Sequence, residues 1–173
     1  EGHSALFAVE AALCEVWRSW GIVPGLLHGR GVGEYVAAWA AGVFDLEDAM
    51  LLVLERAKAL EGAGAGAPNI SSFGRRIRGM AFRPPRLEVV PAAAGASAAD
   101  MARPDYWTDR LAASRSSSRP SEGSLPDASL SLEIGPAQDD WPCLLTSLGL
   151  LYTRGLDVDW KGLHRGRRPR RLA

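Results

Sequence analysis

Five residues, Gly29-Arg30-Gly31-Val32-Gly33, constrain this chain more than any others. Glycines at alternate positions make a tight turn of a kind that few side chains tolerate. The short apolar run Leu26-Leu27-His28 before it fits a buried strand. After it, Glu34, Tyr35, Val36 and Trp39 open a helix that Gly42 ends. Strand, glycine-flanked turn and helix together are the setting of a nucleophile elbow. Such an elbow needs small flanking residues because its central residue sits in a strained backbone conformation. The helix start behind it offers backbone N–H groups and a positive dipole end to a developing oxyanion, with the Val32 amide as the expected donor. Here the central residue is Gly31, so the elbow is present without a nucleophile.

The flanking pattern is locally consistent. Residues 4 to 20 have a helical period, with Leu6, Val9, Leu13, Val16, Trp17 and Trp20 on one stripe and Ser4 as a candidate cap. Gly21 and Pro24 break it. Asp45 is suited to cap a third helix, with Asp48 in its first turn and an apolar face of Leu46, Met50, Val53, Leu54 and Leu60. The run 62–68, GAGAGAP, reads as a linker. Arg75 to Arg86 is basic, and Leu87 to Val90 suits a short strand. From Ala92 to Asp127 the chain is rich in Ala, Ser, Arg and Pro, with Tyr106, Trp107 and Leu111 as its large anchors, and is expected to be partly mobile. Leu130 to Ile134 alternates like a half-buried strand. Trp141 to Tyr152 reads as a last helix with a stripe of Trp141, Leu144, Leu145, Leu148 and Tyr152, followed by a basic tail from His164 to Arg171.

Composition removes several classes. The 173 residues, 47% of them apolar, suffice for a sizeable core. Twenty basic and twenty acidic residues give no net charge, hence no global pull toward nucleic acid or an anionic membrane. Cys14 and Cys143 form neither a CxxC pair nor a disulfide framework, and Cys14 reads as a buried, inert thiol. The apolar stretches are too short to span a bilayer, so a cytoplasmic protein is expected.

At the elbow the sequence resembles a known family. Gly31-Val32-Gly33-Glu34-Tyr35-Val36-Ala37-Ala38, continuing through Ala41-Gly42-Val43-Phe44-Asp45-Leu46-Glu47-Asp48-Ala49, is similar to the active-serine region of acyltransferase domains in modular polyketide synthases. That family reads GHSVGEYVAA followed by AGVFSLEDA. Ala5 to Glu10, Trp17 to Ile22, Phe82 to Arg86, Pro104 to Trp107 and Leu132 to Pro136 resemble further pieces in the same order. Asp139-Asp140-Trp141 and Gly155 to Trp160 resemble the linker that follows the acyltransferase.

The resemblance implies an α/β fold: a truncated, hydrolase-like large subdomain without the family's small ferredoxin-like subdomain, which 62–68 replaces. Residues 1–61 would be the core with the elbow remnant, 69–136 a degenerate and partly flexible C-terminal part, and 137–173 linker-like. It also implies the chemistry of the family, in which a serine takes an acyl group from acyl-CoA and passes it to an acyl carrier protein, with a later histidine as base.

The departures from the family decide the expectation. The serine position is Gly31, the preceding histidine is Arg30, and the segment that carries the later histidine has no counterpart between Gly62 and Arg83. The oxyanion-hole segment GQGxQ has no match either, and His3 stands where the family often has glutamine. Arg56 aligns with the arginine that binds the carboxylate of malonyl-type units. An inactive remnant or spacer is therefore expected. Its partners would be the carrier protein and neighbouring synthase domains, with malonyl-type acyl-CoA only if activity survives, and no cofactor, nucleic acid or membrane. A non-serine acyltransferase and a docking module built on Trp141 to Trp160 are the alternatives.

Each signal has a plainer account. Arg56 could simply pair with Glu55 or Glu61, and His28 could be packed and hydrogen-bonded at a strand end. Ser71, Ser72 and Ser116 to Ser118 lack an elbow and suit solvated loops, as the basic tail suits a solvated tail.

Overall fold

The computed structural model describes residues 2–61, 69–114, 130–135 and 141–166. The run 62–68, Ser116 to Ser118, Pro136, Asp139, Asp140 and the tail beyond Gly166 lie outside them. The chain divides into two compact units, Glu1–Ala8 with Gly25–Ser129, and Val9–Pro24 with Leu130–Ala173.

The first unit is mixed helix and strand, which agrees with the α/β expectation at that level. Strand β1 (Leu26–His28) pairs in parallel with β2 (Glu88–Val90), matching Leu26 to Glu88 and His28 to Val90. A parallel pair needs a long crossover, and here it carries α2 (Gly33–Ala40), α3 (Leu46–Glu61) and α4 (Ile70–Ile77). Helix α2 ends because Gly42, at φ +86°, lets the chain turn left-handed, so that the Val43 amide reaches back to the Ala38 carbonyl. The turn is then tied down: the Arg83 and Arg86 amides donate to the Val43 and Ala41 carbonyls, both at 2.7 Å.

Asp45 caps α3 as expected, its Oδ1 accepting from the Asp48 amide at 3.0 Å. The buried face of α3 differs from the expected one. Ala49, Leu52, Val53 and Arg56 are buried, whereas Leu46 and Leu54 are 49% and 41% exposed. The neighbours of the helix choose that face: α3 packs against α2 and α4, and the leucines outside those contacts stay in solvent.

Ser71 and Ser72, expected in a solvated loop, lie instead in helix α4, which ends at the start of the basic stretch. Asn69 caps it by accepting from the Ser72 amide at 3.0 Å, and Phe73 and Ile77 bury its inner side. A 3₁₀ turn (Ala98–Ala102) and α5 (Pro104–Ala113) order much of the segment around the three large anchors. Trp107 is fully buried beside Tyr35 (4.7 Å between ring centroids), Tyr106 (5.1 Å) and Phe44 (5.5 Å), and its indole N–H donates to the Met101 carbonyl at 2.9 Å. An aromatic core with a satisfied indole is what lets an Ala- and Ser-rich segment pack.

Helix α1 (Gly2–Ser19) contributes to both units, with the division at Ala8/Val9. Its buried side shifts accordingly. Phe7, packed edge-on at 6.4 Å from Trp39, serves the first unit; Leu13 and Trp17 serve the second. Val9, placed on the expected stripe, is 42% exposed, and Ser4 lies inside the helix rather than at its cap.

In the second unit Leu13, Trp17, Trp20 and Ile22 pack with Leu144, Leu148 and Leu151 of α6 (Trp141–Thr153). The buried stripe of α6 therefore runs through Leu151, leaving Leu145 and Tyr152 exposed, contrary to expectation. Leu130, Leu132 and Ile134 do turn toward this core, but the segment pairs with no strand among the described residues; its alternation reflects one-sided packing. Helix α7 (Trp160–Leu163) is capped by Asp159, whose amide donates to the Trp20 carbonyl at 2.8 Å. No helix among the described residues is long and apolar enough to cross a membrane, and no group of three or more His, Cys, Asp or Glu among them could hold a metal.

Candidate functional site

The turn expected to be an elbow joins β1 to α2 over residues 29–32. β1 brings the chain in with His28, whose Nδ1 lies 3.2 Å from the Val90 carbonyl oxygen, so this histidine is packed and hydrogen-bonded at a strand end. The chain reverses over Arg30 to Gly33, with the Gly33 amide donating to the Arg30 carbonyl at 2.9 Å. Helix α2 starts at once, the Tyr35 and Val36 amides donating to the Val32 carbonyl.

The glycines of the turn are not equivalent. A Cβ on Gly29 would fall 2.0 Å from the Gly33 carbonyl oxygen, so only glycine fits there. Gly31 is exposed, has φ +58°, and a Cβ built on it would meet nothing within 4 Å. The backbone thus holds position 31 in the left-handed conformation that a side chain resists, while leaving open the space a side chain would occupy. Arg30 is exposed beside it, and Val32 is buried at the head of α2. Gly31 itself supplies only backbone to chemistry at this point.

Arg56 reaches the same helix from α3. It is 8% exposed, and its guanidinium lies over the Tyr35 ring, 5.7 Å from the centroid. Glu55 does not supply its counter-charge, since that carboxylate receives Lys58 at 2.8 Å and lies 3.9 Å from Arg76. Nη1 of Arg56 and the Tyr35 hydroxyl are both buried without a hydrogen-bond partner. Burial pushes the Tyr35 phenol well above its ordinary range, against the opposing pull of the Arg56 charge. Burial and the Arg56 guanidinium together hold the His3 imidazole below its usual value. His3, Tyr35 and Arg56 thus share one electrostatic neighbourhood.

A second cluster escaped the sequence reading. Glu34, the second residue of α2, is 2% exposed and fully engaged: Oε1 accepts from the Ala92 amide at 3.1 Å and from the Tyr106 hydroxyl, and Oε2 accepts from Arg110 Nε at 2.8 Å. Burial and the adjacent carboxylate both raise the Tyr106 phenol far above its ordinary range, which keeps it a donor. An acid in the first turn of a helix is expected on dipole grounds alone, so nothing local distinguished Glu34.

Cys14 is half-buried, and burial pushes its thiol up to about 11. That leaves it protonated and unreactive at neutral pH. Two clefts of about 410 and 360 Å³ run along α5; neither is lined by residues 29–33 or by Arg56.

Residues 3–97, more than half of the chain, match the acyl transferase domain family. Over 121 residues the chain is 38% identical to a spectinabilin polyketide synthase system protein of Streptomyces orinoci, covering 62% of this chain and 5% of that protein. Over 59 residues it is 48% identical to a non-reducing polyketide synthase of Nectria sp, covering 34% and 3%. A PKS-NRPS hybrid synthetase of Aspergillus candidus is 49% identical over 57 residues, covering 33% and 2%. The chain spans only a few per cent of the length of these relatives.

Proposed function

This chain belongs to the acyl transferase domain family, and we propose that it is a catalytically silent member acting as a structural spacer in a polyketide synthase. One observation carries the proposal: Gly31 occupies the apex of an otherwise intact elbow, at φ +58° with open space where a nucleophile would stand. Acyl transfer by this family's route forms an ester on a side-chain oxygen, and glycine offers none. Loss of the nucleophile leaves the Val32 amide and the dipole of α2 able to polarise a carbonyl, without an attacking group to use it.

On this reading the first unit is a remnant of a hydrolase-like large subdomain, with 62–68 standing in for the small subdomain and 137–173 corresponding to the linker after the acyltransferase. Its partners would be an acyl carrier protein and neighbouring synthase domains, in the cytoplasm.

Arg56 favours a second reading, in which malonyl-type units still move from CoA to a carrier protein by a non-serine route. A buried guanidinium with an unpartnered Nη1 is suited to a carboxylate. The same burial would have to open to admit one. Incubation of the folded protein with malonyl-CoA, followed by intact-protein mass spectrometry, separates the two. The spacer reading expects no added mass; a malonyl adduct overturns it.

A further inference from the structure

The end of β2 and the residues just after it touch the elbow on both sides. Before the turn, His28 is paired with Val90 in the sheet and its ring meets the Val90 carbonyl. After the turn, Glu34 takes the Ala92 amide, two residues further along. The same carboxylate is anchored from α5 by Tyr106 and Arg110. Residues 29–33 are therefore clamped between two short-range ties to one segment, and the second tie depends on a single side chain of fixed reach.

We infer that Glu34 is a positioning residue, held by Tyr106 and Arg110, that sets the first turn of α2 against the apex at residue 31. This inference deepens the elbow reading above and rests on it. Glu34 accepts from the Ala92 amide and from two other donors while 2% exposed, so both of its oxygens are committed and its rotamer is determined. The energetic sense is also clear. A buried carboxylate is tolerated because a guanidinium, a phenol and an amide all face it, and removing the reach of any one leaves the rest misaligned.

A thiol at the apex reads out this alignment without any requirement for activity. In Gly31→Cys, iodoacetamide alkylation of the new thiol is followed against pH by mass spectrometry of its peptide. A thiol placed at a correctly aimed helix start titrates below the ordinary ~8.5 of free cysteine. Glu34→Asp then retains the charge but shortens the reach by one methylene. The expected result is an alkylation midpoint moved up, with at least about threefold slower alkylation at pH 7, while circular dichroism is unchanged. Tyr106→Phe, which also leaves the charge at Glu34 intact, moves the midpoint the same way by less, and it serves as the test if Glu34→Asp does not fold. A midpoint depressed in Gly31→Cys and unchanged in both second-site variants overturns the positioning role. An ordinary midpoint in Gly31→Cys alone instead overturns the elbow reading.

Discussion

Arg110 Nε donates to Glu34 Oε2 at 2.8 Å across 76 residues of sequence, joining α5 to the helix behind the elbow. The two side chains are 15% and 3% exposed, so the carboxylate is shielded from water more fully than the guanidinium. Glu34→Ala should therefore cost about 1–3 kcal/mol, because the Ala92 amide, the Tyr106 hydroxyl and Arg110 all lose their acceptor. Glu34→Ala with Arg110→Met should recover a substantial part of that loss. Denaturant unfolding of the two single variants and the double variant measures the coupling, and strict additivity would show that the pair contributes nothing.

Gly29 and Gly31 should differ in how much a small side chain destabilises them. Gly31→Ser meets no obstruction and carries only the left-handed backbone penalty, about 1 kcal/mol. Gly29→Ala would drive Cβ into the Gly33 carbonyl and should cost about 3 kcal/mol or more. Comparable denaturation midpoints for the two variants would contradict the turn geometry.

Leu52 and Leu54 test the face that α3 buries. Leu52→Ala should cost about 2–5 kcal/mol, as full burial dictates. Leu54→Ala, at an exposed position, should stay within about 0.5 kcal/mol of the parent. The reverse order would restore the face expected from the apolar pattern.

Glu10 should make stability fall as pH rises. Burial raises its carboxyl above the ordinary 4.5, and Oε2 has no hydrogen-bond partner. The native state thus binds more protons than the unfolded state between 4.5 and the raised value. This contribution is complete below 4.5 and is lost as pH rises through the raised native value. Glu10→Gln should therefore melt higher than the parent at pH 7, with the gap closing below pH 4.5. A pH-independent difference in thermal melts would sink the assignment.

Gly162 probes the second unit by itself. A Cβ there would lie 1.9 Å from the Ser19 carbonyl oxygen, so Gly162→Ala should loosen α7 from the end of α1. Amide exchange at Asp159 and Ile22 should accelerate, while the amides of α3 keep the protection of the parent.

Local signals in the sequence were sufficient where the physics is local. The turn after β1, the Asp45 cap and the glycine stop at Gly42 all depend on residues within a few positions of one another. The absence of a nucleophile at the apex was likewise legible in the identity of Gly31. Which face of a helix is buried is not a local property: Val9, Leu54 and Tyr152 are apolar and correctly spaced, yet exposed, because the buried core does not cover that side. The alternation of Leu130 to Ile134 has the period of a strand but lacks a partner to make it one. The commitment of Glu34 to Tyr106, Arg110 and Ala92 spans separations of 58 to 76 residues, and no window on the sequence contains it. The sequence alone determined that position 31 carries no side chain; the tertiary structure decided what holds the turn around it in place, because burial and long-range charge pairing exist only once the chain has closed on itself.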